Sequence, residues 1–192
     1  PTIEVIKVGG SLLSLEGGRE RIAAWLARER SPAVAGVLIA GGGPVVDGLR
    51  RVCQRGVCDD WAHWAAIRAM DDHTALLASW LPTARLTESP DVVDRALRPR
   101  DWALRVGAWL RRVEPGLPGP RLTTGWATTS DAIAARVAVS FGGDVSLALL
   151  KSCKPGEYRS EDAIAALAAD GVIDPETPRI ARPLGGLRIV CP

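Results

Sequence analysis

Lysine is scarce in this 192-residue sequence: Lys7, Lys151 and Lys154 are the only three among 24 basic residues, the other 21 being arginine. Lys7 interrupts the apolar run Ile3 to Val8 two residues ahead of Gly9-Gly10-Ser11, and Lys151 follows the apolar run Val145 to Leu150. An ammonium is costly to bury unless it meets an anion, so each lysine is expected at a strand end facing negative charge. The alternative for each is a side chain that snorkels to water or pairs with an aspartate. A compact point charge, kept where arginine is used almost everywhere else, suggests a task that a planar fork does poorly. Lys154, in the loop 152–157, reads equally well as a solvated lysine.

Glycine-rich loops stand beside these charges. Gly9-Gly10-Ser11 and Gly41-Gly42-Gly43-Pro44 each follow an apolar run, and Thr128-Thr129-Ser130-Asp131 precedes an alanine-rich one. Without side chains, glycines let backbone N–H groups approach an anion, and a following helix N-terminus adds partial positive charge; phosphate is the natural guest. Bare glycine loops are equally compatible with tight turns. Neither G-x-x-x-x-G-K-[ST] nor an intact G-x-G-x-x-G is present, which sets aside P-loop and dinucleotide-binding readings. Asp47 and Arg50 lie three apart after the triple glycine, hence on one helix face. They read either as substrate-recognition residues or as an intrahelical ion pair. His63 sits among tryptophans as core or pocket wall. Trp126, just ahead of Asp131, is the tryptophan expected to touch a ligand, while Trp25, Trp80, Trp102 and Trp109 read as packing.

Strands alternating with helices must position these residues. Ile3 to Val8 and Val34 to Ala40 read as buried strands, each followed by a helix, Arg19 to Arg30 and Pro44 to about Arg55. A long helix is expected from Asp59 or Asp60 to about Leu81. Weaker expectations are a strand at Arg85 to Thr87, a helix at Pro90 to Leu97, a strand at Leu104 to Leu110 and a loop at Pro115 to Pro120. A helix from Ser130 to Ser140, a strand from Val145 to Leu150, a helix from Glu161 to Ala169 and a strand from Leu187 to Val190 complete the chain. The pattern predicts an α/β domain with a mostly parallel sheet and helices on both faces.

Composition limits the partners. With 47% hydrophobic and 24% charged residues and a net charge of +2, the chain suits a globular domain without the polybasic tract that nucleic acid or an anionic membrane would favour. No apolar run approaches the roughly 20 residues that span a bilayer, and no signal-like segment opens the sequence, so a cytoplasmic protein is expected. Cys53, Cys58, Cys153 and Cys191 form no C-x-x-C and are expected as four free thiols. His63 and His73 stand ten apart, off the i, i+4 spacing of a zinc pair, and no metal ligands are assigned. The apolar stretch Trp61 to Leu81 leaves surface for a homo-oligomer.

Taken in order, Lys7-Val8-Gly9-Gly10-Ser11, Ala40-Gly41-Gly42-Gly43, Thr129-Ser130-Asp131-Ala132-Ile133-Ala134-Ala135 and Leu149-Leu150-Lys151-Ser152 resemble the amino acid kinase superfamily over about residues 3–152. The resemblance implies a three-layer αβα sandwich that phosphorylates a carboxylate, carbamate or phosphate with ATP and Mg2+. Trp126, Ala62-His63-Trp64, Ala69-Met70-Asp71 and the pair Asp47 and Arg50 are similar to the kinases of methanofuran-type cofactor biosynthesis, which convert an aminomethyl-furanmethanol phosphate to its diphosphate. On that resemblance Lys7 and Lys151 flank the transferring group and Asp131 orients them. Gly9, Gly10, Ser11, Ser130 and Lys154 hold the ATP phosphates. Gly41, Gly42, Gly43, Asp47, Arg50, His63 and Trp126 hold the phosphorylated acceptor. One domain over 1–192 is implied, with 1–145 mainly for the acceptor and a shortened nucleotide part over 146–192, where Lys154, Tyr158 and Gly171 to Asp174 are nucleotide candidates. Two alternatives stay open: another acceptor, an isoprenoid phosphate or a carboxylate, and a non-catalytic nucleotide- or anion-binding member.

Overall fold

The computed structural model describes residues 3–29, 34–53, 59–88, 101–119, 121–153 and 156–192. Its strands are β1 (Ile3–Val8), β2 (Ala35–Ala40), β3 (Ala84–Thr87), β4 (Asp101–Leu104), β5 (Val145–Leu150), β6 (Gly156–Tyr158) and β7 (Gly186–Cys191). Its helices are α1 (Gly10–Leu13), α2 (Gly18–Glu29), α3 (Gly43–Cys53), α4 (Asp59–Trp80), α5 (Val106–Arg112), α6 (Ser130–Phe141), α7 (Glu161–Ala169) and α8 (Glu176–Ala181). One seven-stranded sheet runs β3-β4-β2-β1-β5-β7-β6, parallel throughout except for β6 against β7. This is the expected αβα sandwich with a mostly parallel sheet.

Strand periodicity explains the layers, because successive side chains point to opposite faces. Ile3 and Val5, Val37 and Ile39, and Leu147 and Leu149 share one apolar cluster with α5, α6, Ile164 of α7 and Ala181 of α8. Ile6 and Val8, Leu38, and Ala148 and Leu150 share the other with Leu12, Ile22 and Trp25 of α1 and α2. Glu4, which breaks the apolar pattern of β1, lies on this second face. There Arg188 of β7 reaches it at 2.6 Å and stacks over Trp25 at 4.9 Å. The long α4 serves both layers, giving Ile67 and Met70 to the first cluster and Leu77 to the second.

Several expectations change. Leu104 to Leu110 is not a strand: the strand is Asp101–Leu104, and Val106, Trp109 and Leu110, at i, i+3 and i+4, form the buried face of α5. The buried Asp71 carboxylate accepts the Gly107 N–H at 3.2 Å, so a side chain from α4 satisfies a backbone donor in the first turn of α5. Loop 115–120 begins as a 3-10 turn at Glu114–Gly116. The helix expected over 90–97 lies outside the described residues. α1, β6 and α8 were not expected. The four cysteines are not all free thiols: Cys153 and Cys191 are disulfide-bonded, their Cα atoms 5.3 Å apart, because the end of β7 lies beside the loop leaving β5. Cys53 is free and Cys58 lies outside the described residues. Among the described residues, no helix is long and apolar enough to cross a membrane.

A buried ion pair ties the segment after α5 to α6. Arg136 Nε meets Glu114 Oε1 at 3.3 Å, with both side chains under 10% exposed. Arg136 also donates to the carbonyls of Pro118 and Leu117 at 2.8 and 3.3 Å, and Glu114 accepts the Leu122 N–H at 3.1 Å. Removing one partner strands the other charge in the interior. Arg136→Ala is therefore expected to lower stability by about 3–5 kcal/mol in urea unfolding; a loss under about 1 kcal/mol would show that water already reaches the pair.

Candidate active site

Register brings the two lysines together. Lys7 pairs with Leu149 across the β1–β5 ladder, so Lys151, two residues on, falls on the same sheet face one step beyond the strand ends. This is also where the chain order reverses, from β2 on one side of β1 to β5 on the other, the usual place for a ligand in an open parallel sheet. Helix α6 packs on that face against β1 and β5. Its N-cap is Thr129, whose hydroxyl accepts the Ala132 N–H at 3.4 Å, and Asp131 in the first turn points down between the lysines.

Asp131 Oδ1 lies 2.8 Å from Lys7 Nζ and Oδ2 lies 2.5 Å from Lys151 Nζ. The side chains of Lys7 and Asp131 are 4% and 5% exposed, that of Lys151 14%. Burial by itself would raise the Asp131 carboxyl, but the Lys7 and Lys151 charges outweigh it and hold it down at about 2. Its stabilisation is therefore present above the ordinary 3.8 and is lost as pH falls toward 2. Burial and the Lys7 charge push Lys151 down to about 8 against the pull of Asp131. Holding Lys151 charged thus costs the fold below pH 8, and that cost is relieved between 8 and 10.5. Two ammoniums share one carboxylate, leaving a net positive charge under the strand ends.

Above this triad the glycine loops pack back to back. A Cβ on Gly10 would lie 2.1 Å from the Gly43 nitrogen, and Gly43 itself has φ +51°, so neither position accommodates a side chain. Gly9 N–H donates to the Leu150 carbonyl and Gly41 N–H to the Val8 carbonyl, both at 2.8 Å, which continues the sheet pairing into the loops. Ser11 and Ser152 hydroxyls meet at 2.8 Å, joining the first loop to the segment after Lys151.

One cleft of about 220 Å³ is lined by Lys7, Gly9, Gly10, Ser11, Gly41, Gly42, Gly43, Asp47, Arg50, His63, Trp126, Ser130 and Lys151. Asp131 lies beneath it, bonded to both lysines, and Lys154 lies outside the described residues. On its outer wall Arg50 pairs with Asp47 at 3.1 Å, the intrahelical arrangement, while its guanidinium also stacks over Trp126 at 5.3 Å. The buried His63 accepts the Gly125 N–H at 3.3 Å, holding the loop that carries Trp126.

Three supporting residues escaped the sequence reading. His73 Nδ1 donates to the Gly41 carbonyl at 2.8 Å, and Thr74 accepts the Ala40 N–H at 3.0 Å. Together they fasten the end of β2 and the triple glycine to α4. The available signal was a polar pair between Met70 and Leu77 at i+3 and i+4, on the buried stripe of that helix. Asp174, considered only for the nucleotide, accepts from the Thr129 hydroxyl at 2.8 Å and from the Glu176 N–H at 2.8 Å, joining the start of α8 to the cap of α6.

Known structures share this architecture. A uridylate kinase from Archaeoglobus fulgidus superposes with TM-score 0.62 at 17% identity, covering 98% of this chain and 90% of that one. The UMP kinase from Ureaplasma parvum gives TM-score 0.68 at 13% identity, covering 99% and 89%. Aspartate kinase from Synechocystis gives 0.61 at 15% identity, and there the chain spans 40% of the larger protein. The fold is that of the amino acid kinases. No protein-family profile and no curated protein sequence matches the chain. In this chain the sheet is flanked by helices on both faces, and the candidate cleft lies at the carboxyl ends of the central strands.

Having only three lysines makes the charge state of Lys151 directly measurable. In carbon NMR of protein labelled at lysine Cε, one resonance is expected to titrate near pH 8 and to vanish in Lys151→Arg. Titration of all three at the ordinary value near 10.4 would contradict the buried site.

Proposed function

We propose that the protein is a kinase that transfers the γ-phosphoryl group of ATP, with Mg2+, to a small phosphate monoester, [5-(aminomethyl)furan-3-yl]methyl phosphate, forming its diphosphate. The observation that carries the reading is the Lys7–Asp131–Lys151 triad at adjoining strand ends beneath two glycine loops. In the transfer, an acceptor phosphate oxygen bonds to the γ-phosphorus while the bond to the β,γ-bridging oxygen breaks and ADP leaves. A phosphate oxyanion has no proton to lose, so no general base is required. Positioning and electrostatic stabilisation then supply the catalysis.

Each part of the cleft has a role in this reading. Lys7 and Lys151 neutralise charge gathering on the transferring group, and Asp131 keeps both ammoniums aimed. Gly9, Gly10, Ser11 and Ser130 hold the ATP phosphates; a Cβ at Gly9 would lie 2.9 Å from the Leu150 carbonyl oxygen, so only glycine lets the loop lie this close to the strand end. Lys154 belongs to the same proposed set. Gly41, Gly42 and Gly43 hold the acceptor phosphate, with His73 fixing the orientation of that loop. Asp47 leaves Arg50 to pair with the acceptor's ammonium, which frees the guanidinium for its phosphate, and Trp126 and His63 wall the ring. Among the described residues no group of three His, Cys, Asp or Glu side chains is placed to hold a metal. Both Asp131 oxygens already face lysines, so Mg2+ would be carried chiefly by the nucleotide phosphates, in keeping with its preference for substrate oxygens and water. A cytoplasmic homo-oligomer fits the reading, with exposed Val45, Val52 and Trp61 on α3 and α4 as surface for a second copy.

Lys7→Ala and Lys151→Ala are each expected to slow ADP release by roughly 10²-fold or more without loss of fold, the scale of one transition-state charge partner. Near-normal turnover in either would overturn the assignment. Asp47→Asn is expected to raise KM for the aminomethyl acceptor about tenfold while leaving KM for a hydroxymethyl analogue nearly unchanged. In the same assay, preferred turnover of an isoprenoid phosphate or a carboxylate would reassign the acceptor. No ADP release with any of them would leave a binding protein.

A further inference from the structure

We propose that Cys153 and Cys191 form a reversible redox link that sets the affinity of the cleft for nucleotide phosphates. The pair stands where a covalent bond has leverage on the site. Cys153 is two residues past Lys151 and next to Ser152, whose hydroxyl meets Ser11 of the first glycine loop at 2.8 Å. Cys191 follows Val190, whose carbonyl accepts the Lys151 N–H at 2.8 Å. The Cα separation of 5.3 Å lies within the range a disulfide spans, so the pair closes without backbone movement. Cys153 is partly exposed and Cys191 is buried.

The link closes a loop across a sequence separation of 38 residues. That loop contains β6, α7, α8 and Asp174, whose carboxylate holds the Thr129 cap of α6 ahead of Asp131. One bond therefore fastens the site from two sides: directly at the Lys151–Ser152 segment, and through Asp174 at the N-terminus of α6. When it opens, the Lys151 segment keeps its hydrogen bond to Val190 of β7 and loses the covalent tie. In the reducing compartment that the proposed function assigns to the protein, disulfides are usually transient or redox-sensing, which favours a reversible role.

The chemistry is thiol–disulfide exchange with a small oxidised disulfide of the glutathione type. The Cys153 thiolate attacks one sulfur of the small disulfide and expels a first thiolate. The Cys191 thiolate then attacks the Cys153 sulfur of the mixed disulfide and expels the second. Two protein thiols and one small disulfide thus become one protein disulfide and two small thiols, the two protons passing to the departing thiolates.

The inference deepens the proposed phosphoryl-transfer site and is tested apart from turnover. The full chain is equilibrated with oxidised or reduced glutathione and its thiols are alkylated for mass analysis. Affinity for a non-hydrolysable ATP analogue is then measured in both forms. Oxidation is expected to remove two hydrogens by linking the Cys153 and Cys191 peptides, to raise Tm by roughly 5–10 °C, and to tighten analogue binding about fivefold or more. All three changes should reverse with dithiothreitol and be absent in Cys153→Ser, which keeps the affinity of the reduced wild type. Failure of the link to form with oxidised glutathione, or affinities within twofold in the two forms, would overturn the inference. A redox-dependent affinity without ADP release for any acceptor would refute the kinase reading alone, and ADP release with redox-independent affinity would refute this one alone.

Discussion

The buried carboxylate of Asp131 between two ammoniums is the interaction on which the rest of the molecule depends. Removing three charges from water is unfavourable, and the arrangement persists because each carboxylate oxygen meets its own lysine. The pairing requires three things at once: β1 and β5 side by side in parallel register, α6 seated across their carboxyl ends, and a tight cap that starts α6 at the right residue. Most of the fold can be understood as supplying these conditions. The first apolar cluster seats α6 on the sheet, Thr129 and Asp174 set its first turn, and the Glu114–Arg136 pair anchors the segment approaching it.

The same geometry leaves the triad with an unbalanced positive charge that opens only toward the cleft. The loops above it present backbone rather than side chains, and Gly10 and Gly43 are in contact where a Cβ has no room. A site that offers two ammoniums and backbone donors, and whose carboxylates, Asp47 and Asp131, are already paired with Arg50 and with the two lysines, is suited to bind and stabilise polyphosphate charge. It is poorly suited to proton abstraction or covalent catalysis. This bias in chemistry, rather than the fold alone, directs the proposal toward phosphoryl transfer between phosphates.

Much of this was legible in the sequence because it is local. Lysines at the ends of apolar runs, glycines just beyond them and an aspartate behind a Thr-Ser cap are signals within a few residues, and all but Lys154 lie within the described site. What was not legible depends on residues distant in sequence. Asp71 satisfies a helix that begins 35 residues later, and without that partner Leu104 to Leu110 reads as a short, mostly apolar run that fits a strand. His73 and Thr74 look like stray polar residues on a helix until β2 is packed against them. The Cys153–Cys191 pair requires knowing that β7 lies next to β5, which no spacing rule reveals. Asp47 and Arg50 illustrate the converse: both readings of the pair were legible, and the structure shows the ion pair while placing it on the cleft wall.

The most direct measurement of the central claim is phosphorus NMR of the protein mixed with ATP, Mg2+ and the aminomethylfuran phosphate. The account predicts that the acceptor's single phosphate resonance is replaced by the coupled pair of a diphosphate as ADP appears, and that Asp131→Asn, which leaves both lysines without their anion, abolishes the conversion. ATP and the acceptor monoester persisting unchanged with the wild-type protein, or conversion undiminished by Asp131→Asn, would contradict it.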